Sequence, residues 1–275
     1  MSPSMKEPGR ATSKYHEIAS EKAGATRSIS AEDSILLSLE NAVKPRRNEL
    51  MIELGCGSGL RSLHLAKKYD LRLVLIDFTR AAISLTKENA RRLGVSCHLI
   101  RCDLKHLPLR NAMFDIVWAE GTHEHTIQRD RPLAFGETRR VAKSGARLLI
   151  FVPNVLNPIY RIEAFVKDKF RLAELYEDPL NRSELEFWIS RSDFTVTGGE
   201  GLELFYTFYS YSLFNINDVP PVMRPLYQVK RFITLSFYGR EDFVSRVIRN
   251  LRKLDRNCLP RNLLGHEVGI VAVAN

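Results

Sequence analysis

Short apolar runs alternate with amphipathic stretches through the first half of the chain, and this alternation restricts the fold more than any other feature. The runs are MIEL (51–54), LRLVLID (71–77), CHLIRCD (97–103), FDIVWAE (114–120) and ARLLIFVPN, which ends at Asn154. Between them, apolar residues recur at helical spacing over 61–69, 81–93 and roughly 132–142, with the turn Lys143-Ser144-Gly145 before the fifth run. An earlier helix is expected over 31–42, because Ser30-Ala-Glu-Asp33 has the form of a capping box and Ile35, Leu36, Leu39 and Val43 follow on one face. Strands that are apolar almost throughout and separated by helices imply a parallel sheet covered on both faces, a doubly wound α/β fold.

The rhythm changes after Asn154. A helical insertion is expected over about 158–180, a helix over 183–192, a strand near 194–204 and a last strand in EVGIVAVAN. Between those strands lies an insertion, 205–262, that holds eleven of the chain's 25 Phe, Tyr and Trp residues. Its portion 222–262 carries ten Lys and Arg against three acids, most of a formal net charge of +9. There EDFVSRVIRNLRKLD sets Phe243, Val247, Ile248 and Leu251 against Arg246, Arg249, Arg252 and Arg256, an amphipathic pattern with a basic face. That face has an ordinary reading as solvated helix surface, and sharper ones as a contact for an anionic substrate, a membrane surface or RNA.

With 275 residues, 44% of them hydrophobic and 27% charged, the chain can bury a sizeable core, which excludes a fibrous or wholly disordered protein. The expected organisation is a polar tail over 1–28 and one decorated domain over 29–275. No apolar run approaches the ~20 residues of a membrane-spanning helix, and MSPSMKEPGRATSK lacks the apolar middle of a secretory signal. A cytoplasmic location, with attachment to a membrane surface as an alternative, is expected. Cys56, Cys97, Cys102 and Cys258 form no CxxC pair, so neither a disulfide framework nor a structural zinc is expected.

In a doubly wound sheet, ligands bind beyond the carboxyl ends of the strands where the winding order reverses. The turn after the first run is the most informative: in ELGCGSG, Glu53 closes the strand, and Gly55, Gly57 and Gly59 allow a tight turn that a ligand can approach. Leu60 stands where a dinucleotide fingerprint has its third glycine, which argues against a nicotinamide site. A turn with no ligand is the plain alternative.

An acidic residue followed by GxGxG resembles the first motif of the class I S-adenosylmethionine-dependent methyltransferases, and four further positions between 50 and 154 agree. Asp77, closing LVLID, stands where that family places the carboxylate for the two ribose hydroxyls, with Phe78 beside it. Asp103 matches the acid facing the adenine amino group, with Leu104 as its neighbouring ring contact. FDIV (114–117) and ETRRVAKSGARLLIFVPN (137–154) resemble the fourth motif and the fifth strand with its preceding turn. The resemblance implies a mostly parallel seven-stranded sheet, S-adenosylmethionine as cofactor, and Glu53, Gly55, Cys56, Gly57, Gly59, Asp77, Phe78, Asp103, Leu104 and Glu120 at its site. It departs in keeping one glycine in Lys143-Ser144-Gly145-Ala146, and in reading WAEG where amino-methylating members carry a DPPY or NPPY tetrapeptide.

After the fourth run, Glu120, His123, Glu124 and His125 fall within six residues. Glu124-His125 resembles a pair found in the ubiquinone-biosynthesis-like branch of the family. Metal binding is one reading, but the spacing matches no HExxH helix and no metal is expected. Another is that His125 or His123 accepts a proton from a substrate hydroxyl, since imidazole titrates near neutrality; a loop histidine with a packing role is equally open. The position of the 205–262 insertion resembles that of the family's substrate lids, which makes Phe205, Tyr206, Tyr209 and Tyr211 candidate acceptor contacts; a small aromatic core is the alternative. The reading reached is methyl transfer to an oxygen, nitrogen or carbon of a small molecule. RNA or lipid methylation, and a non-catalytic cofactor-binding protein, stand as alternatives.

Overall fold

The computed structural model of the chain describes residues 33–169, 178–202 and 264–275, together with 224, 225, 228 and 250. The chain divides into two compact units, Met1–Pro153 with Glu174–Glu200 and Gly269–Asn275, and Asn154–Ala173 with Gly201–Val268. The candidate acceptor contacts Phe205, Tyr206, Tyr209 and Tyr211, and nearly all of the basic 222–262 segment, lie outside the described residues.

The chain builds α1 (Ser34–Val43), β1 (Leu50–Leu54), α2 (Leu60–Tyr69), β2 (Arg72–Asp77), α3 (Arg80–Leu93), β3 (His98–Arg101), β4 (Phe114–Glu120), α4 (Arg131–Val141) and β5 (Ala142–Pro153). Then come α5 (Pro158–Lys169), α6 (Arg182–Arg191), β6 (Phe194–Gly201) and β7 (Glu267–Ala274). One seven-stranded sheet has the order β3-β2-β1-β4-β5-β7-β6. The pairs β1–β2, β1–β4, β2–β3 and β4–β5 are parallel. At the far edge Asn275 N donates to Asp193 O while Leu202 N donates to Glu267 O, so β6 and β7 run in opposite directions and the sheet is mostly, not wholly, parallel.

The winding runs outward from β1 to β3, then returns to place β4 on the other side of β1, so the switch point lies between the carboxyl ends of β1 and β4. Both strands sit in the middle of the sheet, and Met51, Ile52, Leu54, Ile116, Val117 and Trp118 are wholly buried, as strands covered on both faces must be.

The structure corrects two local expectations. Asp33 rather than Ser30 caps α1: its carboxylate accepts from Leu36 N at 2.7 Å, and the helix starts at Ser34. The expected Lys143-Ser144-Gly145 turn is a bulge inside β5, since Phe114 faces Ala142 while Ile116 faces Arg147, and Gly145 takes φ 76° there. A strand residue shifted in this way keeps the ladder on both sides of the irregularity, so β5 is longer than its apolar run. In the second unit, Asn154 and Asn157 tie the start of α5 to the backbone oxygens of Gly265 and Leu264 at 2.9 and 2.8 Å. Among the described residues no helix is long and apolar enough to cross a membrane.

Candidate functional site

The glycine turn is fixed from both sides by its neighbours. Gly55 N and Cys56 N both donate to Ile76 O, at 3.0 and 2.8 Å, which holds the turn against the end of β2. From α3, Thr86 Oγ1 donates to Gly57 O at 2.9 Å and Asn89 Nδ2 to Ser58 O at 2.9 Å. All three glycines have positive φ, yet they serve different ends. A Cβ on Gly55 would lie 2.2 Å from Thr122 Oγ1, and one on Gly59 would lie 2.6 Å from Thr86 Cγ2, so these two permit internal packing. Among the described residues a Cβ on Gly57 would meet nothing within 4 Å, so Gly57 is the turn glycine they leave uncovered.

Cys56 does not offer its side chain to that uncovered side. Its thiol is buried against Thr86 Oγ1 at 3.5 Å, its amide is spent on Ile76, and its carbonyl accepts from Gly59 N at 2.7 Å. Burial, reinforced by the Glu53 and Asp77 charges, pushes the thiol well above its ordinary range. Cys56 thus packs its side chain into the turn.

Glu53 closes the switch point from below. In the ladder it faces Leu75 on one side and Trp118 on the other, and its side chain is 5% exposed. Trp118 Nε1 donates to Ser62 Oγ at 2.7 Å, and the Ser62 hydroxyl in turn hydrogen-bonds the Glu53 carboxyl. The second oxygen, Oε2, is buried and has no hydrogen-bond partner among the described residues. Desolvation pushes this carboxyl well above the usual carboxylate range; Ser62 and Arg61 oppose the shift, and the Glu120 and Asp77 charges add to it.

Glu120, at the end of β4, meets Arg61 Nη1 at 2.5 Å, and the same guanidinium grips Asp33 through Nε and Nη2 at 3.0 and 3.1 Å. Burial raises the Glu120 carboxyl too, with Arg61 opposing. Sequence reasoning used Arg61 only to begin a helix and Asp33 only as part of a cap. Neither residue type at that spacing signals a contact between segments 28 residues apart. Asp77 is 6% exposed and accepts from Gly57 N at 3.0 Å, Thr79 N at 2.8 Å and Thr79 Oγ1 at 2.9 Å. Its carboxylate thereby joins the β2 end to the glycine turn. Phe78, the next residue, is 44% exposed. Asp103 accepts from Lys105 N at 2.9 Å and is half-buried, as is Leu104.

The loop after β4 separates the two histidines. His123 is wholly buried against Phe135, ring centroids 4.6 Å apart, with Nε2 3.2 Å from Thr138 Oγ1. The Thr138 hydroxyl donates to Ala134 O at 2.9 Å, so it accepts from His123, and Nδ1 is left as a buried acceptor without a partner among the described residues. Burial pushes the imidazole down to about 3. A ring that neither meets solvent nor takes a proton near neutrality is not the expected base, which corrects that assignment of His123. His125 instead is half-buried, with Nε2 3.8 Å from Glu124 Oε1. Asp178 N donates to Glu124 O, and Arg131 holds Asp178 at 2.6 Å, bracing this loop from the start of α6. The four acids and histidines of EGTHEH thus do not converge: Glu120 faces Arg61 and His123 faces Thr138.

Residues 52–150 match the family described as "Methyltransferase domain". Among curated relatives, phosphoethanolamine N-methyltransferase 1 of Arabidopsis thaliana is 31% identical over 104 residues, which are 36% of this chain and 20% of the relative. Malonyl-[acyl-carrier protein] O-methyltransferase of Geobacter sulfurreducens is 30% identical over 111 residues, 40% of this chain and 39% of the relative. The chain spans less than half the length of these relatives. Geranyl diphosphate C-methyltransferase of Streptomyces coelicolor A3(2) shares the fold at TM-score 0.56 and 14% identity, over 89% of this chain and 79% of its own. The [4+2]-cyclase SpnF does so at TM-score 0.56 and 15% identity, over 88% and 81%. The family match covers residues 52–150, which run from β1 into β5 and hold the glycine turn backed by Glu53 and Asp77, so this part of the chain is similar to methyltransferase domains.

Proposed function

We propose that the chain transfers a methyl group from S-adenosylmethionine to an oxygen, nitrogen or carbon atom of a small-molecule acceptor. One observation carries the reading: the buried Glu53 Oε2 at the switch point, in the strand that leads into the glycine turn, lacks a hydrogen-bond partner among the described residues. A buried carboxylate oxygen without a donor costs free energy until a donor arrives, and an ammonium group is such a donor. The cofactor carries one in its amino-acid end. Bound there, it supplies a methyl group on a sulfonium, already electrophilic enough for direct attack.

The chain's residues then have binding, orienting and proton-handling work. Asp77, fixed by the Gly57 and Thr79 amides, is oriented to accept from a vicinal diol, and Phe78 offers an exposed ring face beside it. Asp103 and Leu104 are assigned to the adenine. In-line transfer is governed mainly by orientation and exclusion of water, so a base is required only for an acceptor that must lose a proton. His125 is assigned that role, with Glu124 beside it to stabilise the imidazolium. Choice of acceptor is assigned to the 205–262 segment through Phe205, Tyr206, Tyr209 and Tyr211, and the basic 222–262 stretch to an anionic group on the acceptor.

SpnF is a [4+2]-cyclase on the same fold, so fold alone does not fix the reaction. Calorimetric titration with S-adenosylmethionine, followed by transfer of a labelled methyl group to a panel of hydroxyl, amine and carbon acceptors, tests the proposal. No binding by the wild-type chain refutes it. Binding without transfer to any acceptor favours a non-catalytic role.

A further inference from the structure

Arg131 opens α4, where the positive end of the helix dipole favours an acid, yet the first turn holds none and begins on this cation. Its side chain is only 6% exposed. A guanidinium taken out of water at such a place needs a fixed counter-charge. Asp178 supplies it: Arg131 Nη2 meets Asp178 Oδ2 at 2.6 Å and donates to Asp178 O at 2.8 Å. Even so, Arg131 Nε is buried without a partner among the described residues. A buried ion pair adds little stability, because desolvation offsets most of its attraction, and an unfilled donor lowers that further, so stability alone does not account for this arginine.

Asp178 is engaged on its other side as well. Its backbone N–H donates to Glu124 O at 2.9 Å, in the middle of the single turn His123–His125. One residue thus uses its amide, its carbonyl and its carboxylate to join the loop after β4 to the start of α4, and the stretch from Glu124 to Arg131 becomes a closed ring with Asp178 as its clasp. The front of the same loop is pinned separately, since Thr122 Oγ1 donates to Leu54 O at 2.9 Å, at the end of β1. Within the turn His123 is wholly buried and Glu124 is 2% exposed, while His125 is half-buried. Two of the three side chains anchor the turn, and the third is the one they present.

We propose that Arg131 is a positioning residue for the proton-transfer step: through Asp178 it fixes the turn that carries His125, and so sets where that imidazole stands. This rests on the methyl-transfer reading above, with His125 as its base, and adds a residue that acts only through another. Without the clasp the loop keeps its pin at Thr122 and the bonds within its turn, His125 N to Thr122 O and Thr126 N to His123 O. The imidazole is then displaced and not lost. A base must lie within hydrogen-bond reach of the proton it takes, and a displacement of about 1 Å is enough to cost on the order of a hundred-fold in rate. A lysine at 131 would keep the charge on Asp178 but could not hold its carboxylate and carbonyl with the same planar group.

A cycle of variants tests this with the hydroxyl acceptor that the wild-type chain methylates fastest, at saturating S-adenosylmethionine. Arg131→Met/Asp178→Asn removes both charges together and so leaves no uncompensated buried ion. It should lower kcat by roughly ten- to a hundred-fold, with calorimetric affinity for S-adenosylmethionine within about twofold of wild type. Arg131→Lys should recover part of kcat. The same pair of changes made in a His125→Gln protein should cost less than about twofold more, because the clasp then has no base to position. Thermal melting checks that each variant is folded, and where the double variant is not, Arg131→Lys carries the cycle in its place. An unchanged kcat in the folded variants, an equal loss with and without His125, or a fall in cofactor affinity that parallels the fall in kcat overturns the proposal. A wild-type chain that binds S-adenosylmethionine but methylates no hydroxyl acceptor overturns it together with the assignment of His125, and one that does not bind S-adenosylmethionine overturns the methyl-transfer reading itself.

Discussion

Taking the protein from pH 7 to pH 5 should weaken it through His123. The imidazole is wholly buried, and burial alone drives its folded pKa down to about 3, whereas an unfolded histidine titrates near 6.5. The folded state therefore binds fewer protons than the unfolded chain between these values. Stability contributed by this group is complete above the unfolded pKa and is lost as pH falls from there toward the folded one. Each unit below 6.5 costs about 1.4 kcal/mol, so a pH of 5 costs roughly 2 kcal/mol, a large part of an ordinary domain's stability. Carboxylates titrate over the same range, so the measurement must isolate the ring. His123→Phe keeps a ring against Phe135 and leaves Thr138 still bonded to Ala134 O. Denaturant unfolding of both proteins at pH 7 and pH 5 yields a double difference, and the variant should lose about 2 kcal/mol less than wild type over that interval. Equal losses in the two proteins would refute a buried neutral His123.

The glycines of the turn should separate by role. Gly57→Ala should stay folded, losing about 1–2 kcal/mol for a left-handed alanine, while binding S-adenosylmethionine weakly; Gly55→Ala should lose more in thermal melting, because its Cβ collides with Thr122. Asp77→Ala should lower cofactor affinity in calorimetry and also loosen the turn, since Gly57 N and Thr79 lose their acceptor, with each lost bond to a charged group worth roughly 1.5–3 kcal/mol. Asp77→Asn, which keeps an acceptor for one of the two sets, should fall between. For a hydroxyl acceptor, His125→Gln should lower kcat and flatten its rise with pH while leaving cofactor affinity unchanged; an unaltered pH profile removes His125 from proton transfer.

Much of the fold was legible because it follows from period and punctuation. The run FDIVWAE coincides with β4, and the helices expected over 61–69, 81–93, 132–142 and 183–192 begin and end within one residue of those bounds, since apolar spacing marks a helix face better than its end. The end of α1 was misplaced because Ser30 and Asp33 are both good caps, and sequence alone cannot tell which of the two bonds to the helix. The β5 bulge escaped because Lys-Ser-Gly reads the same in a turn and in a strand that carries extra residues. Among the candidate site residues, the places of Glu53, Gly57 and Asp77 at the ends of strands were legible from the apolar runs before them. The contact of Arg61 with Asp33 was not, because it arises only when the 27 residues between them fold back, and His123 and His125 look alike in sequence until one ring is turned into the core and the other is left half-buried.

The same distinction bears on why the apo domain keeps Glu53. A carboxyl with one oxygen unpartnered and burial raising its pKa destabilises the folded state once it ionises: the group favours folding below the unfolded carboxyl pKa, and that contribution is lost as pH rises through its elevated folded value. Glu53→Gln removes the ionisation at nearly constant shape, and it leaves Ser62 an acceptor. The variant should therefore melt higher than wild type at pH 8 without ligand, with the gain shrinking as pH falls toward the range in which Glu53 is protonated. Added S-adenosylmethionine should reverse the order, raising the melting temperature of the wild type more than that of the variant, because only the ionised carboxylate repays its burial with an ammonium. A Glu53→Gln protein that gains nothing at pH 8, or that gains as much from the ligand as wild type does, would show that the buried oxygen is not where the cofactor's charge is met.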